Sequence, residues 1–224
     1  MYLHNLQMQK LSTVFFDVGG VLLKLNGAEF NSAIVGKCRP GSPADIFPSR
    51  FMDVLGTEID GYHSGSYARS DFIAKAHQFL AKDFGYSGTP AELLTGWGDF
   101  LGERMEDNLK IFSALSRNKN IQLGVISDTN EFHAEIMAQR IPDVLNSCAP
   151  GFCYLSHARG MRKAGSGALF QLALRETDAR PSSILMIDDT SAILDTAKHL
   201  GMETLHYTSQ VNLADALRTR GLEI

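Results

Sequence analysis

Three short apolar segments of this chain each end abruptly in polar residues. The segments are rich in β-branched and aromatic side chains, so each is predicted to be a buried β-strand. The residues that follow these strands are, in chain order, Asp17, Ser127 and the pair Asp188 and Asp189. This repeated strand-to-polar junction constrains the fold more than any other feature of the sequence.

Amphipathic helices are predicted between the strands. Leu109, Phe112 and Leu115 keep helical spacing before the second strand, and the segment after Asp189 has the same spacing until Gly201, a natural C-terminal cap. Weaker strands are expected at 152–155 and 204–207. Alternating strands and helices predict an α/β fold with a parallel sheet.

The region from residue 25 to residue 105 interrupts this alternation. It shows no convincing buried strand, contains a loop rich in Pro, Gly and Ser at 39–43, and carries an amphipathic helix that begins near Ser70. The apolar face of that helix comprises Phe72, Ile73, Ala76, Phe79 and Leu80. We therefore predict a mostly helical insertion at 25–105 within a core formed by residues 1–24 and 106–224.

The polar residues at the strand ends suit phosphoryl transfer. In an open parallel sheet, ligands bind beyond the carboxyl ends of the strands, so these residues should converge. A carboxylate such as Asp17 can attack phosphorus. Its charge repels a phosphate dianion, and hard carboxylate ligands such as Asp17 and Asp188 favour Mg²⁺ as the counter-charge.

Composition and charge narrow the class of protein. The 224 residues include 21 basic and 25 acidic side chains, a net charge of −4, which gives no overall attraction for nucleic acid or anionic lipid. The three cysteines show no metal-binding spacing and indicate reduced thiols. No membrane-length apolar stretch or signal peptide is evident, so a cytoplasmic protein is predicted. The oligomeric state stays open.

Four motifs in order resemble those of the haloacid dehalogenase-like hydrolase superfamily, over roughly residues 11–208. They are DVGGVL from Asp17, SDTN from Ser127, GMRK ending at Lys163, and DDT from Asp188. The Asp-x-Gly first motif and the GMRK run are similar to the branch of α-D-glucose-1-phosphate phosphatase and the epoxide-hydrolase N-terminal-like group. The resemblance implies a Rossmann-like core with an inserted helical cap.

The resemblance also implies a role for each motif residue. Asp17 would be the nucleophile and a Mg²⁺ ligand, and the carbonyl of Gly19 would be a second ligand. Asp188 would bind the metal, with Asp189 beside it. Ser127 and the amide of Asp128 would hold phosphate, and Lys163 would balance charge. The implied substrate is a small phosphorylated metabolite, such as a sugar phosphate.

Three positions depart from the superfamily pattern. Gly19 replaces the usual second Asp, which transfers protons to and from the leaving group, a role worth about 10²–10⁴-fold in rate. Proline is missing after Lys163, which predicts a looser loop, and Ile193 replaces an Asn. An enzyme with Gly19 at this position could still act if turnover is slow, if the substrate has a good leaving group, or if His63 or Tyr62 supplies the proton.

Other functions therefore remain as alternatives to the phosphatase. A catalytically weak or inactive relative would bind a phosphate ligand or a protein partner. A phosphomutase would need the acid–base group that Gly19 lacks. A haloacid dehalogenase needs no metal, so the Asp188 and Asp189 pair counts against it. Fold-level resemblance alone does not choose among these.

Overall fold

The computed structural model describes the backbone of residues 10–41 and 47–224 and the side chains of residues 10–41 and 55–224. Its strands are β1 (Thr13–Phe16), β2 (Leu23–Leu25), β3 (Leu101–Arg104), β4 (Gln122–Ser127), β5 (Cys153–Leu155), β6 (Ile184–Asp188) and β7 (Glu203–His206). Five of them form one sheet in the order β5-β4-β1-β6-β7, and every neighbouring pair in it is parallel. The predicted α/β fold with a parallel sheet is confirmed.

Helices cover both faces of this sheet and fill the segment between β2 and β3. They are α1 (Gly27–Val35), α2 (Phe47–His63), α3 (Arg69–Phe84), α4 (Pro90–Asp99), α5 (Glu106–Ser116), α6 (Glu131–Arg140), α7 (Pro142–Ser147), α8 (Ser156–Arg159), α9 (Ala168–Glu176), α10 (Ser191–His199) and α11 (Leu213–Arg218), with a 3₁₀ turn at Pro181–Ser183. Within the described ranges, none of these helices is long and apolar enough to cross a membrane.

Alternation along the strands places apolar side chains on both faces of the sheet. In β1, Val14 and Phe16 join one buried cluster and Phe15 joins the other. In β6, Leu185 and Ile187 face the first cluster in the same way, while Met186 faces the second. Strands buried on both faces need continuous apolar runs, which is why these strands were evident in the sequence.

The described part of the region between β2 and β3 contains four helices with an apolar cluster of their own. The five residues predicted for the apolar face of the helix near Ser70 are all buried there, in α3. Phe30 of α1 and Trp97 of α4 pack into the same cluster, with ring centroids 5.8 Å apart. The helical character of this region is confirmed, and its assignment as a cap domain stays a prediction.

The sequence did not predict the antiparallel pair of β2 and β3, which lies at the two ends of that region. β3 contains Gly102, Glu103 and Arg104, and β2 has three residues with Lys24 and Leu25 exposed. Neither segment has an apolar run that marks a strand. Their pairing depends on backbone hydrogen bonds between residues almost eighty positions apart, which a local pattern does not reveal.

Candidate active site at the carboxyl ends of the strands

The topology brings the three predicted polar junctions to one edge of the sheet. β1 lies between β4 and β6, so Asp17, Ser127 and Asp188 follow or end three adjacent parallel strands. Asp17, Asp188 and Asp189 each offer a carboxylate oxygen that lies within 4.8 Å of those of the other two. All of them line one cavity of about 440 Å³, together with Gly19, Asp128 and Lys163.

Lys163 joins two of these carboxylates in a buried ion-pair network. Its Nζ donates to Asp188 Oδ2 at 2.6 Å and lies 2.9 Å from Asp17 Oδ1. Burial opposes the ammonium charge, but Asp17 and Asp188 together outweigh it and raise the pKa of Lys163. Lys163 is therefore held as a cation between the two carboxylates.

Asp17 carries a carboxylate that the protein alone does not fully stabilise. Burial and the neighbouring charge of Asp188 raise its pKa to about 7, against the opposing effect of Lys163. Its Oδ1 is buried, and Lys163 Nζ, 2.9 Å away, is its close charged neighbour. A lone pair of this oxygen thus remains for a further positive charge.

The donor set fits a magnesium ion. Three carboxylates face one ammonium, which leaves an excess of negative charge in a buried space. Mg²⁺ takes oxygen ligands, is commonly bound through one or two carboxylates, and retains waters and substrate phosphate. Asp17, Asp188 and Asp189 are the described residues that could hold it, with the main chain at Gly19 beside them in the same cavity.

Two glycines after Asp17 shape this end of the site. Gly20 adopts φ +72°, and a Cβ there would overlap the carboxylate of Asp189. Gly19 forms an isolated bridge with Leu23, and a Cβ on it would lie 3.0 Å from Leu25 Cδ2. The first position requires glycine, because the backbone is left-handed and the carboxylate is adjacent, whereas the second tolerates a side chain if Leu25 moves slightly.

Asp128 organises the loop that carries Lys163. Its carboxylate accepts hydrogen bonds from the backbone amides of Lys163 at 2.7 Å and Ala164 at 3.2 Å, and from Arg162 Nε at 3.3 Å. These bonds anchor the loop, which lacks the proline of the resembling family; the looser loop expected from the sequence stays a prediction. The sequence assigned the Asp128 amide to phosphate, and this role of the side chain was not foreseen.

Of the two residues named as sources of a proton, the structure brings one to the cavity. Tyr62 is buried in the apolar cluster of the helical region and stacks on Phe72, with centroids 4.8 Å apart, and it does not line the cavity. His63, the last residue of α2, does line it. Burial, together with nearby His133 and His157, lowers the pKa of His63 to about 4, so it is neutral near pH 7.

Two charged residues of the cavity, Asp60 and Arg162, were not assigned to the site from the sequence. Asp60 lies one helical turn before His63 in α2 and pairs with Arg162 Nη1. The spacing of Asp60 and His63 by three residues places them on one helix face. That spacing was visible in the sequence, but the direction of the face depended on tertiary packing.

Comparison of the fold, rather than of the sequence, shows which known proteins this chain is similar to. No family model matches the sequence, and no curated protein matches it either. The structure nevertheless has the fold of the haloacid dehalogenase-like superfamily, as the four motifs implied.

Three solved structures illustrate this similarity. A predicted hydrolase of the haloacid dehalogenase-like family from Porphyromonas gingivalis is 24% identical, with a TM-score of 0.72 and coverage of 96% of this chain and 100% of the other. An enzyme of the family from Bacteroides thetaiotaomicron, in complex with magnesium and inorganic phosphate, is 17% identical, with a TM-score of 0.70 and coverage of 93% and 100%. The L-2-haloacid dehalogenase RSc1362 is 16% identical, with a TM-score of 0.66 and coverage of 96% and 100%.

Proposed function

We propose that this chain is a Mg²⁺-dependent phosphomonoester hydrolase that acts on a small phosphorylated metabolite, such as a sugar phosphate. The observation that carries the proposal is the position of the Asp17 carboxylate, 2.9 Å from Lys163 Nζ and in one cluster with Asp188 and Asp189. The magnesium and phosphate in the Bacteroides structure of the same fold support it. Bound Mg²⁺ would neutralise charge between nucleophile and phosphate.

Two displacements at phosphorus would complete the reaction. In the first, an oxygen of ionised Asp17 bonds to phosphorus while the ester P–O bond breaks, and the alcohol leaves with a proton taken from solvent. In the second, water attacks phosphorus and loses a proton to solvent, the bond to Asp17 breaks, and inorganic phosphate is released. Splitting the hydrolysis in this way lowers each barrier.

The surrounding residues would bind the phosphate through both steps. Lys163 contributes a fixed positive charge, and Ser127 with the amide of Asp128 would hold phosphate oxygens. Gly19 contributes no proton, so the leaving alcohol depends on solvent and turnover is expected to be slow for poor leaving groups.

The test is hydrolysis of an aryl phosphate and a panel of metabolite phosphates with Mg²⁺. We expect turnover that EDTA abolishes and that Asp17→Asn reduces to background. A rate equal to that of Asp17→Asn on every substrate would refute the phosphatase. Activity on 2-haloacids that persists in EDTA would instead identify a dehalogenase.

A second candidate function is a weak or inactive relative that binds phosphate without useful turnover. Gly19 and Ile193 favour it, because both replace residues that the resembling family uses at its site, and Ile193 lines the cavity. Mg²⁺-dependent binding of inorganic phosphate, measured by calorimetry in a protein without turnover, would support this alternative. Turnover at metabolic rates would eliminate it.

A further inference from the structure

The cations that line the cavity are already engaged by carboxylates. Among the described lining residues these cations are Lys163 and Arg162. Lys163 contacts Asp17 and Asp188, while Arg162 pairs with Asp60 through Nη1 and with Asp128 through Nε at 3.3 Å. The phosphate to be cleaved would compete for Lys163, and a second anionic group would find no unpaired cation in this part of the chain.

Asp60 adds negative charge away from the three-carboxylate cluster. Its side chain is 63% exposed and belongs to α2, whereas Arg162 belongs to the loop that carries Lys163. A second phosphate or a carboxylate on the substrate would have to displace Asp60 from Arg162 or lie next to its charge. Both cost free energy, and like charges placed together across a binding site disfavour the wrong partner.

Unlike these paired charged groups, His63 is a neutral polar side chain without a hydrogen-bond partner among the described residues. Neither nitrogen of its imidazole makes a hydrogen bond to any described residue. Nε2 is covered by the protein, so Nδ1 is the nitrogen that a ligand could reach. Ser156 Oγ donates to the His63 carbonyl at 2.6 Å, which fixes the main chain. The ring is tilted by 44° to Trp97, with centroids 6.5 Å apart. A ligand that covers Nδ1 without a hydrogen bond would bind less tightly, so a ligand with a hydrogen-bonding group is favoured.

The cavity also has a group of apolar and aromatic side chains in its wall, beside polar ones such as Asn31 and His133. The group is formed by Leu25, Phe30, Ile59, Trp97, Phe100 and Leu101. Such a wall suits the carbon skeleton of a ligand, with a few polar groups that fix its orientation.

We propose that the substrate is a phosphate monoester of an uncharged, hydroxyl-bearing alcohol, and that a hydroxyl of this alcohol hydrogen-bonds to the His63 imidazole. This inference rests on the proposed phosphatase activity and deepens it. His63 binds the substrate as a neutral donor or acceptor and does not supply the proton to the leaving oxygen. Bisphosphates and phosphorylated acids are selected against by the paired Arg162 and by Asp60.

The test compares three substrates: a hexose monophosphate, the corresponding hexose bisphosphate, and phenyl phosphate, whose phenyl group carries no hydroxyl. We expect wild-type kcat/KM for the monophosphate to exceed that for the bisphosphate by about tenfold or more, the order expected when a charged group lacks its partner. Asp60→Asn should release Arg162 Nη1, while Nε stays paired with Asp128, and should narrow that ratio several-fold. Equal kcat/KM for the two hexose esters in wild type would overturn the charge selection.

Variants of His63 test the hydrogen bond. His63→Leu should raise KM for the hexose monophosphate about fivefold, the factor expected for one lost hydrogen bond, and leave phenyl phosphate within about twofold. His63→Gln, which restores a polar group, should recover most of the loss. The exposed His199→Leu is the matched control.

The outcomes separate the two proposals. If His63→Leu affected both monophosphates equally, or neither, the role of His63 would be refuted while the phosphatase stood. If wild type hydrolysed none of the three esters and matched Asp17→Asn on each, the proposed function would fail and the substrate class would fail with it.

Discussion

Gly20 and the carboxylate of Asp189 pack against each other so closely that a Cβ on Gly20 would overlap Asp189 Oδ2. Gly20 also has φ +72°, in the left-handed region. These two constraints connect the loop after the nucleophile to the loop after β6, and they make Asp189 dependent on a residue that has no side chain.

Gly20→Ala is therefore expected to displace Asp189 as well as strain the backbone. We predict that it weakens Mg²⁺ binding by about tenfold or more, as loss of support around a metal ligand typically does. Calorimetric titration with Mg²⁺ measures this. Gly151→Ala is the control, since Gly151 has φ +83° with nothing within 4 Å of its Cβ. Equal Mg²⁺ affinity in both variants would contradict the steric role of Gly20.

Lys163→Met should destabilise the fold as well as abolish turnover. It leaves two buried carboxylates without their cation, and breaking a buried ion pair in this way costs about 3–5 kcal/mol. Urea unfolding without metal measures the change. Lys24→Met is the matched control because Lys24 pairs with Glu103 at 3.1 Å on the surface, where such pairs contribute about 0–1 kcal/mol. A similar decrease in the free energy of unfolding in both variants would contradict the prediction that the buried ion pair matters more than the exposed one.

Gly19→Asp should increase kcat toward poor leaving groups. It supplies a carboxyl group where the resembling family has one, and general acid–base catalysis contributes about 10²–10⁴-fold when it is well positioned. We expect about a tenfold gain, because Leu25 Cδ2 lies 3.0 Å from the new Cβ and must move. Steady-state kinetics on an alkyl phosphate measures it, and Gly19→Asn, similar in size but unable to transfer the proton, should show no gain.

Acid should destabilise the wild type more than a variant without His63. The pKa of His63 is lowered by burial from 6.5 to about 4, so its neutral form is favoured in the fold. The contribution of neutral His63 to the free energy of unfolding is fully present above pH 6.5. It is lost as the pH falls toward 4, because the unfolded chain binds the proton at a higher pH than the folded chain. The full loss is about 3 kcal/mol.

Urea unfolding of wild type and His63→Gln at several pH values between 7 and 4 measures this dependence. The free energy of unfolding of wild type should fall more steeply over that range than that of the variant. Parallel pH profiles would show that His63 is protonated as readily in the folded chain as in the unfolded one.

The sequence alone determined the sheet and the carboxylate end of the site. Val14, Phe15 and Phe16 are buried on both faces of the sheet, and such strands require continuous apolar runs that local patterns reveal. Parallel strands then bring residues such as Asp17 and Asp188 to one edge whatever the intervening chain contains. Local patterning together with one topological rule was sufficient for this part.

Only the tertiary structure decided what faces those carboxylates. That His63 lines the cavity while Tyr62 is buried against Phe72 depends on the rotation of α2, and either orientation is compatible with the local sequence. The pairing of Arg162 with Asp60 joins residues about a hundred positions apart. Such contacts are set by packing between distant segments, which leaves no periodic signal in the chain, and they are the contacts on which substrate selection would depend.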